Sequence, residues 1–419
     1  MALQNSDIII VGAGAAGLMA ALTASERGRH VILLEKMDQA GRKLRITGKG
    51  RCNLTNTAPL KEFLTHVGSD SRFMRNCFSQ FFNQELMDFF EAHGVPLIVE
   101  RGSRVFPQSG KSLDIFLGLI KNIEKSPLVD IRKNSAVRTL ITEDTPEGKV
   151  VKGVRLQNGN SIRAPHVLIS TGGRSYPSTG STGAGYMLAA EVGHTIVPQV
   201  PSLVPLICQE PIPSDLVGFT LRNVKLTITQ INGKKVCEHF GEMTFTEDGI
   251  SGPIVLSTSR IVSRTLHRGE QLKAYIDLKP AIEAETLDKR LIKDLNTNGT
   301  RIFNDALRLW LPAELIPLAL TSLHIEYYKR LNQINSDERK RLLHFLKSIP
   351  FTLIGTRDYP EAIVTQGGVN LKEINPKTME SKLVHGLYFA GEVLDLDADT
   401  GGYNLQIAFS TGHAAGMNL

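Results

Sequence analysis

The stretch DIIIVGAGAAGLMAALTASERGRHVILLEK, residues 7–36, packs a strand, a turn, a helix and a second strand into 30 residues. Ile8 to Val11 form a short, unbroken β-branched run, the pattern of a strand covered on both faces of a parallel sheet. An alanine-rich helical stretch follows and stops at Gly28, and His30 to Lys36 read as a second buried strand. The whole is a βαβ unit.

Gly12, Gly14 and Gly17 space the turn as GxGxxG. The first glycine permits the tight turn, the second lets the backbone approach a pyrophosphate, and the third lets helix and strand pack closely. The first helical turn, with Ala15 and Ala16, aims amides at the negative charge. Glu35 closes the second strand 18 residues after Gly17, where a carboxylate accepts ribose hydroxyls. An acid there argues against a 2′-phosphate, and so against NADP at this site.

The C-terminal tail separates FAD from NAD. Gly386 to Val393, GLYFAGEV, reads as another strand, ending in Gly391 and Glu392. TGGYNLQIAFSTG then starts a helix at Gly401–Tyr403, whose N-terminal amides suit an electron-rich flavin edge. A plain NAD dehydrogenase has no need of such a return. Both chain ends are therefore expected to build one FAD domain of the two-dinucleotide-binding type.

GRKLRITGKGRCNLTN, residues 41–56, follows the ribose-binding acid and carries five basic residues. Arg42 and Lys43 suit phosphate, Gly48 and Gly50 permit close backbone approach, and Arg51, Cys52 and Asn53 fall nearest the isoalloxazine. Cys52 has no partner at dithiol spacing. Two readings of it stand: a general acid near flavin N5, or a small residue packed under the ring.

The rest of the chain divides by pattern. Residues 1–195 and 351–419 are assigned to the FAD-binding Rossmann-like domain, with short strands and turn signals over 126–169 reading as a meander that returns to the sheet. Residues 196–280, with proline-rich connections and alternating strands, form a β-rich insertion. Residues 281–350, rich in Leu, Lys, Arg and Glu, form a small helical domain. The fold class is α/β. Among 419 residues the four cysteines stand far apart, which excludes a disulfide framework or zinc-finger spacing and fits a reducing, cytoplasmic location. No stretch reads as a membrane span, and no metal site is expected. The net charge of +6 fits an anionic cofactor, substrate or nucleic acid.

With these segments in place, the chain resembles the YhiN/BaiN-type bacterial flavoproteins, also known as the aminoacetone oxidase family of FAD-binding enzymes. The resemblance runs through IIIVGAGAAGLMAA, GRKLRITGKGRCNLTN, STGG, GSTGAGY, PSLVPL, GISGPIVLS, TQGGV and the tail from Thr378 to Gly416. It implies a β-barrel-like insertion and a helical cap. It places FAD contacts at Gly12, Gly14, Gly17, Glu35, Lys36, Arg42, Lys43, Gly50, Cys52 and Asn53. Val137 is placed against adenine, Thr171, Gly172 and Gly173 near the pyrophosphate, and Gly391, Glu392, Gly402, Asn404 and Leu405 at the ribitol and flavin. Two positions depart from the family pattern: Ala184 where TGDGY has an acid, and Glu247 where FTHxGxSGP has histidine.

The resemblance implies an NAD(P)H-dependent flavin reductase of an activated C=C bond. Alternatives within it are a ribosomal RNA dihydrouridine synthase, whose basic surface would contact RNA, and an oxygen-dependent amine oxidase. A flavin-bearing RNA- or ribosome-binding protein without turnover is the non-catalytic alternative. No second GxGxxG follows a strand, so NAD(P)H is expected to bind transiently. Proton-donor candidates are Tyr403, Cys52, Glu247 and His413, the last more readily explained as a packed ring.

Overall fold

The computed structural model describes residues 6–68 and 70–419. They fall into two units, residues 1–201 with 359–419, and residues 202–358.

The first unit is built on a five-stranded sheet in the order Leu387–Phe389, His166–Ile169, Ile8–Val11, Val31–Leu34, Val129–Arg132. Every neighbouring pair is parallel, with Ile8 opposite Val31 on one side and His166 on the other. Ile8, Ile9, Ile10 and Leu33 are fully buried, as continuous apolar runs require when both sheet faces are covered. The first and last strands thus flank the same middle strand, His166–Ile169.

The glycine-loop helix, Ala15–Glu26, packs along the C-terminal helix, Tyr403–Asn418, and both are buried on most sides. Small residues make this approach possible. A Cβ at Gly412 would lie 2.4 Å from the Ala16 carbonyl oxygen, and one at Gly416 would lie 2.8 Å from that of Ala20. Glycine inside a helix costs about 1 kcal/mol relative to alanine, and here it purchases close packing.

The segment read as a meander divides differently from that expectation. Val129–Arg132 joins the parallel sheet as its edge, while Val137–Thr145, Gly148–Leu156 and Ser161–Arg163 form the antiparallel part. The apolar alternation in DIR is too short to show which sheet it enters.

In the second unit, six strands close a barrel in the order Leu206–Cys208, Gly249–Ser251, Lys235–Thr246, Thr220–Gln230, Leu272–Asp277, Ile349–Thr356. Val224, Leu226 and Ile228 alternate inward along one strand, the period-two pattern of a closed sheet. The helices Ala284–Thr297 and Ser336–Lys347 share the barrel's hydrophobic core through Leu291, Leu342 and Leu346. The boundaries read at 196 and 351 shift in the structure. The strand beginning at Ile196 pairs with Val364–Val369 in the first unit, and Ile349–Thr356 closes the barrel.

Candidate functional site

Parallel strands release their loops at one edge of the sheet, and the loops after Val11, Leu34, Ile169 and Phe389 meet there. Gly12 turns with φ 104°, and a Cβ on it would lie 2.7 Å from the Ser170 carbonyl oxygen. A Cβ on Gly17 would lie 2.0 Å from the Gly12 oxygen. Both glycines are therefore demanded by packing alone. Gly14 is different: a Cβ there would meet nothing within 4 Å. It is the N-cap of the Ala15–Glu26 helix, whose first-turn amides have no intrahelical acceptor.

Glu35 is fixed by two backbone donors, Ala13 N at 3.0 Å and Met37 N at 2.9 Å. Ser135 N donates to the Glu35 carbonyl at 2.8 Å, bringing the strand that starts at Val137 alongside the strand end. Thr171 Oγ1 is buried without a hydrogen-bond partner, next to Gly172 at φ 71° and Gly173. An open cradle at a helix N-terminus, a fixed acid at the strand end and an orphaned hydroxyl suit a dinucleotide. The residues fit FAD.

The basic segment forms a short helix, Arg42–Ile46, and then a tight loop with positive φ at Gly48, Lys49, Gly50 and Cys52. Its cations are largely engaged by protein groups. Arg42 reaches Asp38 at 3.3 Å, Arg45 donates to Gln39 Oε1 at 2.8 Å, and Arg51 pairs with Glu100 and lies 4.4 Å over the Phe106 ring; ahead of the segment, Lys36 donates to Thr182 Oγ1 at 2.7 Å. Burial lowers the Lys36 pKa, opposed by the charge of Glu35.

Lys43 is the centre of a network that spans the chain. Its Nζ donates to Glu392 Oε2 at 2.7 Å and to Ser175 Oγ at 2.5 Å. Ser175 Oγ and Thr365 N each donate to Glu392 Oε1 at 2.8 Å, and Thr365 Oγ1 accepts from Arg174 N and Ser175 N. Burial alone would raise the Glu392 pKa. The Lys43 charge and these hydrogen bonds override it and hold the carboxyl below its ordinary range.

The two chain ends also meet through the backbone. Gly402 caps the C-terminal helix at φ 100°, so close to Thr55 that a Cβ would lie 2.3 Å from its carbonyl oxygen. The Asn53 amide, with its oxygen toward Gly402, accepts from Gly402 N at 3.1 Å and donates to Thr55 O at 3.2 Å. Asn404 holds the acidic turn, donating to Ala398 O at 2.8 Å and accepting from Ala398 N at 2.9 Å. Leu405 packs against the hydrophobic core, and Gly391 N donates to Thr411 Oγ1 at 2.9 Å.

Tyr403 stands between two rings. It meets Phe63 edge-on at 4.6 Å and stacks on His66 at 4.4 Å, and His66 Nδ1 lies 2.9 Å from Asp399 Oδ2. Burial, then the carboxylates of Asp399 and Glu62, push its phenol up to about 12. Cys52 is fully buried, and burial, opposed by a Thr47 hydrogen bond, pushes its thiol up to about 12. Cys52 thus keeps a neutral thiol sealed from solvent. His413 stacks on Phe81 at 4.3 Å with a buried, unpartnered Nδ1, and burial lowers its pKa. Glu247 lies exposed in the second unit, in the turn before Gly249–Ser251.

Reading the sequence missed Ser175, Thr365, His66 and Asp399. Asp399 lies in the visibly acidic turn, but nothing in the local sequence marks its partner His66 or the hydroxyls around Glu392.

Residues 6–418 match the family described as HI0933-like protein Rossmann domain. Among curated relatives, the 3-dehydro-bile acid delta(4,6)-reductase of Clostridium scindens is 32% identical, over 97% of this chain and 97% of that protein. The ribosomal RNA dihydrouridine synthase of Escherichia coli is 30% identical over 100% of this chain and 98% of its own. The enzyme of the same name from Haemophilus influenzae is 29% identical over 99% of each. The chain belongs to the HI0933-like Rossmann family, whose YhiN/BaiN-type members are FAD-dependent oxidoreductases.

Proposed function

We propose that this chain reduces a C=C bond conjugated to a carbonyl, with NAD(P)H as electron source. The observation that carries the reading is full-length similarity to two proteins whose names both denote saturation of a C=C bond, one in a bile acid and one in a uridine. Bound FAD would take up hydride from NAD(P)H and supply it to the β-carbon.

The chain's own tasks are to seat the cofactor, exclude water and deliver the proton to the α-carbon. The glycine loop, Glu35 and Thr171 serve the first task. Tyr403 is our candidate for the last, since a phenol held near 12 carries its proton throughout the physiological range. It gives that proton only to a strongly basic carbon, which restrains wasteful release to solvent. The phenolate left behind would face Asp399 and Glu62, so reprotonation is strongly favoured.

The experiment is anaerobic. Purified yellow protein is mixed with NADH or NADPH and the visible absorbance is followed. Bleaching, then recovery on adding a conjugated steroid enone, supports the small-molecule reading. Recovery only with uridine-containing RNA supports the RNA reading, which the +6 net charge favours over a neutral substrate. Bleaching by an amine in place of NAD(P)H, with recovery on admitting oxygen, supports the oxidase. Failure of both nucleotides to bleach the protein removes the proposal.

A further inference from the structure

One surface turn of the second unit has no part in the reaction above. Ile325 and Leu331 are buried anchors, and the five residues between them are Glu326, Tyr327, Tyr328, Lys329 and Arg330. The turn is ordered by hydrogen bonds. Lys329 N donates to Glu326 O at 3.1 Å, Phe303 N donates to Lys329 O at 2.8 Å, and Ile302 bridges Arg330. Lys329 Nζ is also tied to both oxygens of Glu338, at 2.7 and 2.9 Å.

With both ends pinned, the two tyrosines project outward. Tyr327 is 44% exposed and Tyr328 is 72% exposed, and their rings meet edge to face at 4.7 Å. Exposed arginines lie along the backbone that pairs with the turn. Arg301 and Asn304 lie across the bridge from the turn, and Arg308 follows Asn304 by one helical turn. Arg308 and Arg330 form no ion pair with a described residue, and Arg301 Nη2 reaches only the Asp305 backbone oxygen, at 3.5 Å. The carboxylates close in sequence are Asp305 and Glu326; Glu338 is already neutralised by Lys329.

We propose that this turn binds single-stranded RNA, with bases stacked on Tyr327 and Tyr328 and backbone phosphates against Arg301, Arg308 and Arg330. Exposed rings on an ordered turn offer stacking faces without a folding cost, and uncompensated guanidinium groups offer charge. A protein interface would instead call for a wider apolar patch around the rings, and here the residues flanking them are charged. The inference goes beyond the reductase reading, since it assigns an RNA contact wherever the reduced double bond resides.

Holoenzyme is titrated with a labelled, unstructured RNA oligonucleotide, following anisotropy over a series of salt concentrations. Y327A and Y328A are each expected to weaken binding about tenfold, while the Tyr→Phe variants bind as wild type. R330Q and R301Q are each expected to reduce the salt slope by about 0.7. Unchanged flavin absorbance and NAD(P)H bleaching in every variant show that the fold and the reductase site are intact, so this inference and the previous one fail separately. Absence of wild-type binding, Ala variants that bind normally, or Phe variants as weak as Ala overturn it.

Discussion

Replacing Lys43 by methionine tests the network joining the basic segment to the C-terminal turn. The side chains of Lys43 and Glu392 are only 22% and 18% exposed, and they meet at 2.7 Å. Removing one partner of a buried pair costs about 3–5 kcal/mol, and this degree of residual solvation selects the lower end, about 3 kcal/mol. The sign with pH follows from Glu392. In the wild type its folded pKa lies below the unfolded value, so its contribution is present above that value and lost as pH falls through the folded one. In Lys43→Met only the Ser175 and Thr365 hydrogen bonds oppose burial, and the folded pKa is expected to rise above the unfolded value. The folded state then takes up a proton, and stability declines as pH rises. The loss should be small at about pH 5 and complete at about pH 8. At roughly 2 °C per kcal/mol for a unit of this size, Tm falls by about 6 °C at the higher pH. Thermal unfolding by circular dichroism, on holoprotein and on protein stripped of flavin, measures it and separates the ion pair from any cofactor contact. Lys43→Met combined with Glu392→Gln should recover much of the loss. Equal destabilisation at both pH values, or simple additivity in the double variant, would refute the coupling.

The other expectations are more local. Gly17→Ala should fail to fold, because its Cβ would lie 2.0 Å from a backbone oxygen; Gly14→Ala should fold normally and emerge colourless, because its Cβ occupies only the cradle. Flavin content and circular dichroism on both variants check this, and a yellow Gly14→Ala protein would show that the cradle does not seat the cofactor. Cys52 should resist thiol reagents in the native protein, and Cys52→Ala should retain reductase turnover. Tyr403→Phe should leave bleaching by NAD(P)H intact while slowing reoxidation by the C=C acceptor about 10²-fold or more, measured by stopped flow. His194 lies between Glu373 at 3.1 Å and Ser381 at 2.8 Å, and burial holds its pKa below the ordinary histidine value despite Glu373. Stability attached to it is present above that ordinary value and lost as pH falls, so His194→Gln should flatten the acid limb of Tm against pH.

What the sequence made legible was local and periodic. The strands Ile8–Val11 and Val31–Leu34, the helix between them and the glycine turn all lie within 30 residues, and burial on both faces writes itself as continuous apolar runs. Glu35 could be singled out because it follows directly on the strand Val31–Leu34. Lys43 could be flagged as a cation but not paired, since Glu392 lies 349 residues away and no spacing rule connects them. The same holds for His66 and Asp399, which are 333 apart. Boundaries such as Ile349–Thr356 were misplaced because a strand closing a barrel and one re-entering a parallel sheet have the same alternation.

The long-range pairs also explain why the glycines near the C-terminus matter as much as the GxGxxG. Gly402, Gly412 and Gly416 each stand where a Cβ would strike the backbone of the N-terminal half: Thr55, Ala16 and Ala20. Each contact sets how closely the last helix approaches the glycine loop. The helix position in turn places Tyr403 beside His66, and the turn before it places Glu392 on Lys43. A methyl group at position 412 should therefore act at a distance. With Ala16 O only 2.4 Å from the new carbon, the helices must separate, and the flavin cradle and Tyr403 move together. Gly412→Ala is expected to lower flavin affinity and acceptor turnover in parallel. A variant that lost turnover while binding flavin normally would mean that the two helices do not position the site as a single piece.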